Sequence, residues 1–171
     1  MSTFRPMRRS AQQLTDADAE EILMSATSGV LSVFGDGGYP YGVPLSYTYN
    51  GGKIYFHCAK SGHKLDAVRN CNKASFCVIA QDEVVPEKYT TLFRSVIAFG
   101  RIREITDDSE MRRAIELLAR RYNPMGSEED MNTEIDKEYD RLCMLEMTVE
   151  HMTGKEAIEI VRNKKIKKDQ T

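Results

Sequence analysis

Six stretches of this chain read as strands, the last with alternating Leu145, Met147 and Val149, and glycine-rich turns punctuate them. Val30–Phe34 runs into Gly35-Asp36-Gly37-Gly38, and Tyr41–Tyr49 runs into Asn50-Gly51-Gly52, a strong hairpin signal, before Lys53–Cys58. Ala74–Ala80, Thr91–Ile105 and Leu142–Val149 complete the set, the fifth long enough to bend at Gly100. Pro44 interrupts the second stretch. Proline has no N–H for the ladder, so this stretch belongs at an edge, at a bulge, or where something other than a strand takes the partner role. Short strands joined by glycine turns predict a barrel rather than a parallel α/β sheet.

Helices flank the predicted strands. Thr15-Asp16-Ala17-Asp18 reads as a capped helix start, and Ala19, Ile22, Leu23 and Ala26 follow at helical spacing, ending by Gly29. Met111, Ala114, Ile115, Leu118 and Tyr122 line one face of a second helix, with Asp107, Asp108 and Glu110 at its start and Asn123-Pro124 as its stop. Ser127 to about Tyr139 is acid-rich and predicts a solvated helix or loop with a weak apolar edge. The expectation is a mainly β chain with flanking helices (α+β), built on six antiparallel strands. Residues 1–171 are expected to make one domain, with an extended or tethered arm at 1–13 and a solvated, frayed basic tail at 162–171.

Composition excludes several classes. With 171 residues, 41% of them hydrophobic, the chain can bury a core, which argues against wholesale disorder. A net charge of -2 and a pI of about 6.0 advertise neither nucleic acid nor anionic membrane. Mean hydropathy is -0.48, and no apolar run reaches the ~18–20 residues of a membrane span. The first residues, Met1-Ser2-Thr3-Phe4-Arg5-Pro6, lack a signal-peptide apolar region. Cys58, Cys71, Cys77 and Cys143 form neither a CxxC pair nor zinc spacing, which fits a reducing cytoplasm. Contact of Lys164–Lys168 with nucleic acid or lipid is the minor alternative to a solvated terminus.

The densest polar constellation is His57-Cys58-Ala59-Lys60-Ser61-Gly62-His63-Lys64, at a strand end running into a helix start. Two imidazoles, two ammoniums, a hydroxyl and free amides are what a phosphate monoester needs, and an ordinary polar strand-to-helix turn is the competing reading. Neither a Walker loop nor GxGxxG is present. No carboxylate stands at HExxH-like spacing, and His151 is distant in sequence, which argues against a metal site. Cys58 points to the face opposite His57, which argues against a cysteine nucleophile. There is no GxSxG elbow. Met144, Met147 and Met152 read as core filler.

Gly38-Tyr39-Pro40-Tyr41-Gly42-Val43-Pro44-Leu45-Ser46-Tyr47, then Ile54–Ala59 and Gly62-His63-Lys64-Leu65-Asp66, closely resemble the pyridoxamine 5'-phosphate oxidase-like flavin proteins, and within them the nitroimidazole-resistance branch. Phe93–Gly100 and Gly154-Lys155-Glu156-Ala157 follow in that branch's style and order, so the resemblance runs from about Met7 to Val161. It implies a split β-barrel homodimer with FMN in each of two interface clefts. Val43, Pro44, Leu45, Ser46 and Tyr47 would lie along the flavin ring and His57 near it. Lys60, Ser61, Gly62, His63 and Lys64 would hold the phosphate, and Arg94 and Ser95 would approach from the partner subunit. His57 or His63 would transfer protons while an unidentified donor supplies electrons for reduction of a small nitro-aromatic acceptor such as a nitroimidazole. A non-catalytic flavin or haem binder is the alternative, as is a pyridoxamine phosphate oxidase-like enzyme. The latter fits less well, because His63-Lys64 stands where the oxidases proper carry an arginine-rich site, and the chain ends in lysines. A deazaflavin could replace FMN in relatives, but one short phosphate loop suits FMN better.

Overall fold

The computed structural model describes residues 4–168. Among the described residues, seven strands form one antiparallel sheet: β1 (Ser28–Phe34), β2 (Pro40–Ser46), β3 (Thr48–Asn50), β4 (Lys53–Ala59), β5 (Lys73–Val85), β6 (Thr90–Glu104) and β7 (Leu142–Glu156). Five helices flank it: α1 (Asp16–Ser25), α2 (His63–Asn70), α3 (Asp108–Tyr122), α4 (Glu128–Glu138) and α5 (Ile158–Lys168). The strand order is β2-β1-β5-β6-β7-β4-β3.

That order corrects the expected count of six. The single strand expected over 41–49 is two strands, β2 and β3, at opposite edges of the sheet with Tyr47 alone between them. A flat sheet of this size would hold its edges roughly 28 Å apart at the usual strand spacing. The two Cα–Cα steps from Ser46 to Thr48 span at most about 7 Å. The sheet therefore rolls until its edges meet, and it stays open along the line where β2 leaves β4. This is a split barrel, with Pro44 on the edge strand, opposite Val30.

The turns behave as their residues dictate. Gly51 and Gly52 take φ of 57° and 79° in the two-residue loop between Asn50 and Lys53. β7 bulges at Glu150, opposite the Phe99–Gly100 step of β6, and there a Cβ on Gly100 would stand 2.0 Å from the Thr148 carbonyl oxygen. β5 runs beyond its predicted end at Ala80 to Val85, where it pairs with the first residues of β6 as a two-stranded extension past a register shift at Ile79/Gln81, while β6 lies within a residue of its predicted bounds.

The core has two parts. Inside the barrel, Phe76 meets Tyr47 and Phe56 edge-on, at centroid distances of 4.7 and 5.1 Å. Outside it, α3 and α4 bury Ala114, Ile115, Leu118 and Ile135 against Met144. β7 is covered on both faces: Cys143, Leu145 and Met147 face the barrel interior, while Met144 faces the helices. Helix starts are capped by Thr15, Asp107 and Ser127, which accept from the amides of Asp18, Glu110 and Asp130.

Both termini are tied down. Gln12 is buried and its Nε2 donates to the Glu156 carbonyl, while Gln13 bridges Lys155. The basic tail is not frayed as expected but helical through Lys168, because Lys164 Nζ donates to both carboxylate oxygens of buried Glu156, at 2.9 and 2.8 Å. The first three residues of the arm and residues 169–171 of the tail lie outside the described residues. Among the described residues no helix is long and apolar enough to cross a membrane.

Tyr47 is fully buried and its hydroxyl donates to the Leu23 carbonyl at 2.8 Å. Tyr47→Phe is expected to lower unfolding free energy by about 1–3 kcal/mol in urea titration, since the buried carbonyl loses its donor. Glu146 is buried and bridges strands; burial alone would raise its pKa, but bonds from Lys53 and Arg103 outweigh that and hold it below 4.5. A carboxylate depressed in this way stabilises the fold above the unfolded pKa, and that contribution is lost as pH falls through the folded value. Acid unfolding of Glu146→Gln should accordingly be less steep below about pH 4.5 than that of the parent chain.

Candidate functional site

The hairpin register locates the opening. Thr48 pairs with Tyr55 and Tyr49 with Ile54. Continued past Tyr47, that register would set Ser46 against His57 and Pro44 against Ala59. β2 instead pairs with β1, and on this side β4 has no strand partner beyond Tyr55 among the described residues. Two strand edges therefore face each other across a slit, their outward backbone groups unused by any ladder. On an edge strand, proline is tolerated where its nitrogen faces outward, which suits Pro44 to this position.

The slit is closed at both ends. At the Tyr47 end, the amide of Tyr47 donates to the Tyr122 hydroxyl at 3.0 Å, and that hydroxyl in turn donates to the Thr27 carbonyl. α3 thus supplies the hydrogen bond that a neighbouring strand would have made. At the other end, the His63 ring stacks on Tyr41, with centroids 4.1 Å apart and planes 10° from parallel. His63 Nε2 accepts from the Asp36 amide at 3.4 Å, which fastens the start of α2 to the β1–β2 turn.

Between these ends the predicted residues take different positions. Val43 and Leu45 are half-buried, and Pro44 and Ser46 are exposed along the β2 edge. The Tyr47 side chain turns into the barrel. Lys60, Ser61, Gly62 and His63 are exposed and Lys64 is half-buried. Leu65, Ala67 and Val68 anchor α2 in the barrel core behind them. Gly62 caps α2 with φ of 125°, a conformation that side chains rarely adopt, and nothing lies within 4 Å of where its Cβ would be. Arg94 and Ser95 are not brought to this slit. Arg94 pairs with Glu156 across the sheet, while His57 pairs with Met144, so 12 residues of β7, ~40 Å of extended strand, separate the two positions. Arg94 Nε approaches buried Glu156 Oε2 at 3.4 Å.

A cavity of about 590 Å³ opens beside Ser46 and His57, walled by α3, α4 and Leu142. Sequence reading did not anticipate it. The signal was Met131 and Ile135 at helical spacing, present but too slight to separate a packed helix from a solvated one. His57 sits where slit and cavity meet. Loss of hydration, followed by repulsion from Lys64, moves its pKa below 6.5. Cys58, on the opposite face, is buried, and desolvation raises its thiol pKa. An NMR titration should find His57 predominantly neutral at pH 7, and Lys64→Ala should move its midpoint upward by removing the adjacent cation.

The sequence matches the family model described as pyridoxamine 5'-phosphate oxidase over residues 15–156. No curated protein matches the chain. Among solved structures, a candidate 5-nitroimidazole antibiotic resistance protein of Bacteroides thetaiotaomicron is similar, with a TM-score of 0.70 and 21% identity, covering 84% of this chain and 85% of that one. An FAD and heme binding protein of Mycobacterium smegmatis gives 0.70 at 19% identity, covering 85% and 73%. An FAD-binding protein of Mesorhizobium loti gives 0.58 at 22%, covering 85% and 97%. The same open barrel recurs in all three, and the sequence match takes in both edges of the slit and the start of α2. The chain belongs to the pyridoxamine 5'-phosphate oxidase-like family.

Proposed function

We propose that the slit binds FMN and that the chain, as a homodimer, is a flavin-dependent oxidoreductase acting on small nitro-aromatic acceptors. The observation that carries this reading is the pairing of two free strand edges with a cationic helix start at one end of the same slit. A planar heterocycle with donors and acceptors on its rim can use backbone groups that no strand uses. From Ser46 to Tyr41 the β2 edge runs about 16 Å, room for a ring at one end and a phosphate at the other. Lys60, Ser61, His63, Lys64 and the amides of His63 and Lys64, ahead of the first bonded amide of α2 at Leu65, would hold that phosphate. One such loop suits a single phosphate group, hence FMN over a dinucleotide. The bound flavin would supply the electron transfer.

The chain's own residues divide the remaining work. The backbone of Val43–Ser46 would orient the ring edge, and the cavity beside Ser46 would leave room for an acceptor next to it. His57, held neutral, accepts or relays a proton at its ring nitrogen; His63 has its Nε2 committed to the Asp36 amide, which favours His57 for that role. Arg94 and Ser95 reach a flavin only from a partner subunit. The exposure of Ile79, Val84 and Tyr89 on the β5–β6 extension (65%, 67% and 98%) supports such a partner.

The purified protein should bind FMN with quenching of flavin fluorescence, and sediment as a dimer. His63→Ala with Lys64→Ala should weaken FMN binding by about 1.5–3 kcal/mol per lost charge-assisted bond. The bound flavin should bleach with dithionite and regain colour on adding a nitroimidazole. Unchanged FMN affinity in the double variant would refute the phosphate assignment. Preferential uptake of FAD, a deazaflavin or haem would replace FMN, and a flavin that stays bleached would leave a binding protein without this activity.

A further inference from the structure

The cavity beside His57 carries a charge pattern that flavin binding does not use. Its inner wall is apolar, formed by Ile115, Leu118, Ala119, Met131, Ile135 and Leu142. Asp130, Glu134 and Glu138 also line it, four residues apart and therefore on one side of α4. Among the described residues, no lysine or arginine lines it. Of the cations nearest α4, Arg112 bonds Glu116, Asp136 and Asn132, Arg120 bonds Glu128, and Lys137 bonds Glu134; Lys64 lies toward the slit, on the His57 side. Asp130 accepts from the Ser127 hydroxyl, and among the described residues Glu138 has no hydrogen-bond or ion-pair partner.

We propose that this cavity is the acceptor chamber and that it selects compact aromatic molecules bearing a protonated amine or imidazolium over anionic ones. Calling the occupant an acceptor rests on the flavin reading above; the charge selection does not. The apolar wall takes the ring face out of water, while Asp130 and Glu138, which no described cation bonds, and Glu134, shared with Lys137, attract positive charge at the chamber rim and repel negative charge. A phosphate ester would meet that field with no lysine or arginine in the lining to pair with it. The chamber is thus ill suited to pyridoxamine 5'-phosphate, the compound for which the family is named. The net charge of the chain, -2, gives no hint of this, because the selection comes from one side of one helix.

Three probes of similar size separate the possibilities: 4-nitrobenzylamine, 4-nitrobenzyl alcohol and 4-nitrophenyl phosphate. Equilibrium dialysis against the purified protein, with and without added FMN, measures binding without requiring turnover. The amine should bind at least about fivefold more tightly than the alcohol, the phosphate should bind more weakly than both, and the preference should shrink in about 1 M salt. Glu134→Gln with Glu138→Gln should bring amine and alcohol within about twofold of each other while leaving alcohol binding unchanged. Ala119→Phe, which fills the chamber, should abolish binding of both; its folding is checked by circular dichroism. Equal binding of amine and phosphate, a preference unmoved by the double variant, or binding unaffected in folded Ala119→Phe would each overturn the proposal. FMN binding without charge selection would sink this inference alone, and charge selection without FMN binding would sink the flavin reading alone.

Discussion

A single residue, Tyr47, joins the two outermost strands of a seven-stranded sheet, and that covalent restraint shapes everything around it. The sheet must roll, its edges must converge at Tyr47, and they must part again beyond it because β2 is already paired with β1. Burial of the Tyr47 ring against Phe76 and its bond to α1 hold the junction from inside. The Tyr122 hydroxyl holds it from outside and fixes the end of α3 beside the slit. The chamber between α3, α4 and the barrel follows from that attachment, so the position of the helical pair and the opening of the barrel are consequences of one junction.

β7 is the other organising element. It is the strand on which both cores meet, and each half carries a buried carboxylate. Glu146 is held by Lys53 and Arg103 from the strands on either side. Glu156 is held by Lys164 from α5, with Arg94 approaching from β6. Buried charges persist when they are paired in this way, and removing one partner costs more than the pair contributes. The arrangement also explains why Arg94 stays away from His57 within one chain: it is anchored to the far end of the strand whose near end backs the slit.

Much of this was legible in the residues. The Asn50-Gly51-Gly52 hairpin, the capped helix starts, the edge position of Pro44 and the opposite facing of His57 and Cys58 all follow from local rules. The break at Tyr47 was not. Tyr41, Val43, Leu45, Tyr47 and Tyr49 alternate without interruption, and alternation reports which face is buried, not which strand lies alongside. The stacking of His63 on Tyr41 is equally invisible, because it joins segments that only the rolled sheet brings together. Lys164 reads as one more tail cation until its partner is seen to be a carboxylate buried at the end of a strand. The α3–α4 chamber depends on how two helices splay, which two apolar residues on α4 do not specify.

Free strand edges are ordinarily a hazard, since they template pairing with any other extended chain and lead to aggregation. Here the free edges of β2 and β4 face each other across the slit, with the stacked Tyr41 and His63 rings at one end and the Tyr122 hydroxyl at the other. The opening therefore also works as protection, turning the backbone that β2 and β4 leave unpaired toward each other rather than toward other molecules.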